Sequence, residues 1–109
     1  MKNKIDLSDQ VIMITGISGQ LGQFLANEVL TCGAKILCLD LSLEKMKKVA
    51  KFYNWKIENI LLQKADISVK NDIVKAFNNG LDQFGKITHQ INNAGVSVFE
   101  DWPNRKEED

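Results

Sequence analysis

The sequence has little that would direct it to nucleic acid or to a membrane. Its 14 basic side chains are balanced by 14 acidic ones, so there is no excess positive charge to attract a polyanion or an anionic lipid surface. Its apolar runs are far shorter than the roughly 20 residues that a membrane-spanning helix needs. We therefore expect no nucleic-acid partner and no membrane partner.

Cysteine and histidine are also scarce, and their positions argue against a metal site. Cys32 and Cys38 lie among apolar residues without a C-x-x-C spacing, and the chain has one histidine. A structural zinc site takes about four such ligands at short spacings. Two unpaired thiols are typical of a reducing compartment. We expect no metal, a cytoplasmic location and two small core residues at these positions.

Proline occurs once, at Pro103, so no stretch of the chain resembles an interdomain linker. A chain of this length is one domain or part of one. We therefore interpret residues 1–109 as a single domain. Residues 104–109 are polar and terminal, and we expect them to fray because they have little apolar surface to bury.

Short apolar runs alternate with longer segments of helical periodicity. Four runs are predicted to be strands: 11–15, 35–40, 60–64 and 87–92. The first two are almost continuously apolar, which is typical of strands covered on both faces. The resulting order, β-α-β-α-β-α-β, is the first half of a doubly wound α/β fold. We predict three layers, with a parallel sheet of strand order 3-2-1-4 and helices on both faces.

Each helical segment has an apolar stripe that we expect to face the sheet. The stripes are Leu21, Phe24, Leu25 and Val29 in the first segment, Leu43, Met46, Val49, Ala50 and Tyr53 in the second, and Val69, Ile73, Phe77, Leu81 and Phe84 in the third. Ser42 and Ser68 are predicted to be N-caps, and Gly33 is predicted to be a C-terminal capping glycine.

Three glycines, spaced three apart, follow the first predicted strand in the stretch VIMITGISGQLG. Gly16, Gly19 and Gly22 form a turn that opens a helix near Gln20. Free backbone N–H groups at a helix start attract a pyrophosphate, and glycine lets the backbone approach it closely. A single glycine triplet is weak evidence, but its place between a strand and a helix predicts a nucleotide site. A phosphate-binding loop of the NTPase type is not predicted, because no lysine follows the glycines.

An acidic residue ends the second strand, where a ribose partner is needed. Asp40 lies eighteen residues beyond Gly22, and its carboxylate can accept hydrogen bonds from both ribose hydroxyls. A 2′-phosphate at the same place would meet a like charge. The sequence therefore favours NAD over NADP.

Other polar residues at the same edge of the predicted sheet permit two interpretations each. Asp66, before Ile67, could face a ligand or help to cap the helix that begins near Val69. The stretch 92–95, Asn-Asn-Ala-Gly, could face a ligand or form an ordinary strand exit. His89 lies within the fourth strand, where a packed, hydrogen-bonded role is favoured over a catalytic one. Trp55 and Trp102 are expected to pack.

Together these residues resemble the N-terminal half of a short-chain dehydrogenase/reductase, over about residues 7–102. The resemblance implies an NAD(P)-binding, Rossmann-type domain in which the glycine turn wraps the pyrophosphate and Asp40 holds the adenosine ribose. It further implies that Asp66 contacts the adenine amino group beside the Ile67 backbone, and that Asn92 braces the central strands. The implied cofactor-binding residues are Gly16, Ser18, Gly19, Gln20, Leu21, Gly22, Asp40, Leu41, Asp66, Ile67, Asn93, Ala94 and Gly95.

Different parts of the sequence resemble two different branches of that family. The spacing Thr-Gly-x-x-Gly-x-x-Gly is similar to the extended branch of sugar-nucleotide epimerases and dehydratases, whereas Asn-Asn-Ala-Gly is typical of the single-domain branch. We favour the single-domain branch, because a shifted glycine is tolerated wherever the turn still closes.

The family's catalytic serine, tyrosine and lysine have no counterpart in this chain. The one tyrosine, Tyr53, has no lysine four residues on and belongs to a core stripe. We predict the cofactor-binding portion of an oxidoreductase that oxidises alcohols or reduces carbonyls, truncated after the fourth strand and inactive alone. Whether the chain is itself an enzyme stays open, as do its small-molecule substrate and any homo-oligomer. The alternatives are an extended-branch epimerase or dehydratase fragment and a non-catalytic nucleotide-binding or interaction protein.

Overall fold

The computed structural model describes residues 5–93 of the chain as a three-layer α/β fold. All the strand pairs are parallel, and the sheet order is β3-β2-β1-β4. This confirms the predicted fold class and strand order. The elements are β1 (Val11–Thr15), α1 (Gln20–Thr31), β2 (Lys35–Asp40), α2 (Leu43–Tyr53), β3 (Ile60–Lys64), α3 (Lys70–Phe84) and β4 (His89–Ile91), with a short 3₁₀ turn at Ile57–Asn59.

The sheet register divides the interior into two cores. Ile12 pairs with Ile36, which pairs with Ile60, and these side chains pack with Ala26 of α1 and Met46 of α2. On the opposite face, a second core surrounds Met13 and Leu37 under Ala76 of α3. Alternate residues of β1 and β2 therefore serve opposite cores, which explains why both strands are apolar throughout.

The residues of α1 that face the sheet are smaller than the predicted stripe. Gly22 and Ala26 are buried, whereas Leu21 and Phe24 are 53% and 56% exposed. Phe24 lies two positions after Gly22, and two positions correspond to a rotation of about 200° around the helix axis. Phe24 therefore lies on the face of the helix opposite to Gly22. The prediction was wrong for these two positions, since small residues bring the helix axis close to the sheet.

The third helix repeats this pattern. Ala76 and Gly80 are its buried residues, while Val69, Phe77 and Leu81 of the predicted stripe are at least partly exposed. A Cβ on Gly80 would lie 2.8 Å from Leu37 Cδ2, so the helix backbone packs against the Leu37 side chain of β2. By contrast, the prediction for α2 holds, because the buried residues Met46 and Val49 belong to its stripe.

Two of the three predicted caps are confirmed. The Ser42 Oγ accepts a hydrogen bond from the Lys45 backbone N–H at 3.1 Å. Gly33 follows the end of α1 with φ of 102°, a left-handed conformation that favours glycine. Ser68 is not the N-cap of α3, because that position is Val69 and the Ser68 hydroxyl donates instead to Asp66 Oδ1 at 2.6 Å.

The fourth strand is shorter than the predicted 87–92, and His89 within it is exposed rather than packed. Its ring Nδ1 lies 3.0 Å from the Thr88 hydroxyl. Trp55 packs as expected, stacking on Tyr53 with 5.6 Å between ring centroids and donating from Nε1 to Asn27 Oδ1. Trp102 and the frayed segment predicted at 104–109 lie outside the described residues.

No helix in the part of the chain that the structure describes is long and apolar enough to cross a membrane. Both cysteines are free thiols, with Cys38 buried and Cys32 half-buried. Burial, reinforced by the nearby Asp40 carboxylate, raises the pKa of the Cys38 thiol far above its ordinary value. Cys38 therefore stays protonated as a small core residue, as predicted.

Candidate functional site

The glycine turn between β1 and α1 is fixed by two of its three glycines. Gly16 has φ of 73°, which favours glycine over any residue with a Cβ. Gly22 faces inward, where a Cβ would lie 2.8 Å from both Asn93 Nδ2 and Ile17 Cα and would collide with the Gly16 carbonyl. These two glycines are therefore required by the fold of the turn itself.

Gly19, the middle glycine, meets neither constraint. Its φ is −84°, and a Cβ there would have one neighbour within 4 Å, the Gly16 carbonyl oxygen at 3.7 Å. The residue is exposed and serves as the N-cap of α1, with no side-chain cap. A glycine cap leaves the first-turn amides open to a ligand, so the space in front of Gly19 is the natural place for an anion.

The turn is tied to the end of β4 by Asn93. Its backbone N–H donates to Thr15 Oγ1 at 2.9 Å, and its side-chain amide donates to the Gly16 carbonyl at 3.1 Å. Asn92, which the resemblance assigned to bracing the central strands, follows β4, is exposed and accepts a hydrogen bond from Gln90 of that strand. That assignment was wrong, because Asn93 and not Asn92 is hydrogen-bonded to the chain at the end of β1.

Asp40 ends β2 opposite the turn and is held there by three hydrogen bonds. Its Oδ2 accepts from the Ser18 backbone N–H at 2.9 Å and from the Ser18 hydroxyl at 2.7 Å. Its Oδ1 accepts from the Leu41 backbone N–H at 2.7 Å. The carboxylate is thus fixed in orientation while half-buried at the sheet edge. Sequence reasoning placed Ser18 and Asp40 in one site but did not reveal the bond between them.

Asp66 follows β3 at the same edge and is engaged locally. Its Oδ1 accepts from the Ser68 N–H and hydroxyl, and these bonds lower the pKa of the Asp66 carboxyl. Its backbone N–H donates to Asp72 Oδ2 in the first turn of α3, and its carbonyl accepts from Val69. Asp66 therefore organises the approach to α3, although it is not the N-cap, and the same residue also lines the site.

These elements enclose one crevice of about 440 Å³ at the carboxyl end of the sheet. In open α/β sheets, ligands bind at this edge where the strand order reverses, here between β1 and β4. The crevice is lined by Gly16, Ser18, Gly19, Gln20, Leu21, Leu39, Asp40, Leu41, Ala65, Asp66, Ile67 and Asn93.

Most of the predicted site residues therefore meet in one place. Gly22 does not line the crevice but supports the turn from below, and Ala94 and Gly95 lie outside the described residues. Sequence reasoning missed Leu39 and Ala65, which directly precede the two acids. The strand ends alone could have revealed them, because a residue next to a site residue at the end of a strand lies at the same edge of the sheet.

The charge of the crevice is acidic in the part of the chain that the structure describes. Asp40 and Asp66 line it, and none of its lining residues is lysine or arginine. No group of histidine, cysteine, aspartate or glutamate side chains within residues 5–93 is arranged to hold a metal ion. The site combines open amides at one end with carboxylates at the other, an arrangement suited to a ligand with an anionic centre and hydroxyl-bearing ends.

A family model described as short chain dehydrogenase matches residues 10–109. Among curated relatives, an uncharacterized oxidoreductase from Bacillus subtilis, YxnA, is 31% identical over 93 residues, covering 85% of this chain and 26% of the relative.

Two solved structures are similar in fold and were determined with a cofactor. A 3-ketoacyl-(acyl-carrier-protein) reductase from Brucella melitensis, complexed with NADH, has a TM-score of 0.70 and 28% identity, covering 78% of this chain and 34% of that one. An oxidoreductase from Haemophilus influenza, with bound NAD, has a TM-score of 0.71 and 30% identity, covering 79% and 31%. The chain thus spans about a quarter to a third of the length of these proteins.

Proposed function

Because the chain belongs to the short-chain dehydrogenase family, we propose that its crevice binds a nicotinamide dinucleotide. The observation that supports this most strongly is the opposition of two features across one crevice. The uncapped start of α1 lies at Gly19, and the fixed carboxylate of Asp40 lies at the end of β2. A diphosphate flanked by riboses has the anion and the hydroxyls that these two features select.

The diphosphate binds against the turn from Gly16 through Gly22. Gly19 offers no Cβ, so a phosphate approaches the backbone closely, and the amides of Gln20 and Leu21 in the first turn of α1 donate to it. The positive end of the helix dipole favours the same charge. Ser18 contributes through its contact with Asp40.

Asp40 accepts a hydrogen bond from the adenosine ribose, with Leu41 beside it at the rim of the crevice. We propose NAD as the cofactor in preference to NADP. A 2′-phosphate at Asp40 would lie against a carboxylate, and no basic residue lines the described crevice to offset that repulsion.

The adenine lies against the end of β3, where Ala65, Asp66 and Ile67 line the crevice. The Asp66 carboxylate has an oxygen, Oδ2, beyond the one that Ser68 occupies, and this atom can accept from the exocyclic amine. Asn93, which lines the crevice, is proposed to face the cofactor near its ribose. The resemblance gives the same role to Ala94 and Gly95, which lie outside the described residues.

The reaction of the whole protein is proposed to be oxidation of an alcohol or reduction of a carbonyl. The nicotinamide, when bound, supplies or takes up the hydride. The residues of this chain bind and orient the dinucleotide, while the family's acid–base tyrosine and its lysine have no counterpart here, so the chain alone is proposed to be inactive. The related dehydrogenases and reductases favour this interpretation over an epimerase or a non-catalytic binding protein. The interpretation of residues 1–109 as one domain and the cytoplasmic location stay predictions.

A cofactor titration tests the proposal. NADH fluorescence should show saturable binding to the chain, and NADPH should bind more weakly. In Asp40→Ala, NADH affinity should fall by roughly 10- to 150-fold, since a charge-assisted hydrogen bond contributes roughly 1.5–3 kcal/mol, and the preference for NADH over NADPH should largely disappear.

The matched control is Asp9→Ala, because Asp9 is an exposed acid that does not line the crevice. Its affinities for both cofactors should equal those of the unsubstituted chain. Tighter binding of NADPH than of NADH by the unsubstituted chain would refute the cofactor assignment. Saturation by neither would refute the proposed function.

A further inference from the structure

One hydrogen bond joins the two halves of the crevice. The Ser18 hydroxyl, in the glycine turn, donates to Asp40 Oδ2 at the tip of β2 across 22 residues of sequence, at 2.7 Å. The backbone N–H of the same serine donates to the same oxygen at 2.9 Å. The element proposed to bind the diphosphate is therefore linked directly to the group proposed to bind the ribose.

The three hydrogen bonds at Asp40 leave the carboxylate little freedom to rotate. Both donors of Ser18 hold Oδ2, and the Leu41 N–H holds Oδ1. A carboxylate has about four acceptor sites, so Oδ1 retains one that can accept from a ligand. Since two donors from opposite sides of the crevice fix the two oxygens, the orientation of that remaining site is set before any ligand binds.

We propose that Ser18 is a positioning residue, whose hydroxyl orients the Asp40 carboxylate for the adenosine ribose and so contributes to the selection of ribose-bearing ligands. This inference depends on the proposed function, because it concerns how the same crevice recognises its ligand. Holding a polar group in its bound orientation removes the entropic cost of ordering it during binding. Without the hydroxyl, Asp40 keeps its two backbone hydrogen bonds, so the fold of the turn is retained while the carboxylate gains freedom.

The test compares ADP with 2′-deoxy-ADP as ligands of the full chain, by isothermal titration calorimetry. The two differ in the 2′-hydroxyl alone. The unsubstituted chain should prefer ADP. In Ser18→Ala that preference should fall by about three- to tenfold, through weaker ADP binding, while the affinity for 2′-deoxy-ADP changes less than twofold.

Three further variants separate positioning from a general loss of structure. Ser18→Thr keeps the hydroxyl and should retain the preference for ADP over 2′-deoxy-ADP. Ser42→Ala removes a serine that caps α2 without lining the crevice, so it should lower thermal stability and leave the preference unchanged. In an Asp40→Ala background, the Ser18→Ala substitution should have no further effect on the preference, since its target is gone.

Each alternative result overturns the inference in a recognisable way. Equal weakening of both ligands in Ser18→Ala would mean that the serine supports the turn and not the ribose contact. A larger preference for ADP would mean that the hydroxyl competes with the ribose for Asp40. In either case, binding by the unsubstituted chain would leave the proposed function standing. Binding of neither ligand by the unsubstituted chain would refute both.

Discussion

The three glycines of one turn are alike in the sequence and different in the structure. Gly16 is set by its left-handed φ, and Gly22 by the absence of room for a Cβ. Gly19 has an ordinary φ and open space in front of it. Backbone geometry and packing therefore account for two glycines, and the third is explained by the proposed diphosphate, which would approach the backbone there.

Paired alanine substitutions test this difference. Gly19→Ala should cost no more than about 1 kcal/mol of stability, through the poorer helix cap. It should reduce NADH affinity by roughly tenfold or more, because its methyl group lies where the proposed phosphate would approach. Gly22→Ala should destabilise the chain by several kcal/mol, because overpacking against backbone atoms cannot be relieved by a rotamer change.

Thermal unfolding by circular dichroism and NADH titration together check both variants. The two effects should separate, with stability lost in one variant and affinity lost in the other. Full NADH affinity in a folded Gly19→Ala variant would contradict the placement of the diphosphate at this turn.

At the scale of elements, two serines in similar sequence positions have different roles. Ser42 caps α2 by accepting from Lys45 N–H. Ser68 precedes α3, but its hydroxyl donates to Asp66 instead of accepting from the helix. The difference arises because Asp66 forms a turn with Ser68 and Asp72 reaches back to the Asp66 amide, so the start of α3 is organised by aspartates.

Ser42→Ala should therefore lower the free energy of unfolding by about 1 kcal/mol, the typical contribution of an N-cap. Ser68→Ala should cost less, because it removes an exposed hydrogen bond and no cap. Urea denaturation of both variants measures the two values. A larger loss in Ser68→Ala than in Ser42→Ala would contradict the assignment of the caps.

At the scale of the whole molecule, protection from solvent is uneven across the sheet. The central strand β2 is hydrogen-bonded on both sides, and its four middle residues are buried. The strand β4 is paired with β1 on one side within the described residues and has two exposed residues of its three. The fold is therefore anchored at β1 and β2, and one wall of the crevice, at Asn93, follows its least protected strand.

Amide hydrogen exchange should reproduce this gradient. Amides of Ile36–Leu39 should exchange only through global unfolding, while those of His89–Ile91 should exchange faster through local opening. Addition of NADH should slow exchange in the turn at Ser18–Gly22, because a ligand protects the amides that it contacts. Slower exchange in β4 than in β2 would contradict the order of stability inferred from burial.

The sequence by itself determined the strands, their order and the edge at which the site forms. The bounds of β1, β2 and β3 agree with the prediction at every residue, because short, mostly apolar runs between segments of helical periodicity leave few alternatives. Most of the candidate site followed from the same pattern, since parallel strands deliver their carboxyl ends to one edge.

The tertiary structure alone decided which side of each helix is buried and which polar groups meet. Large apolar residues such as Phe24 and Phe77 indicated one face, but Gly22, Ala26, Ala76 and Gly80 allow the helix backbones to rest on the sheet on another. Asn93 rather than Asn92 bonds the turn, and Ser18 meets Asp40 from 22 residues away. Periodicity describes neighbours along the chain, whereas these contacts depend on how closely separate elements approach.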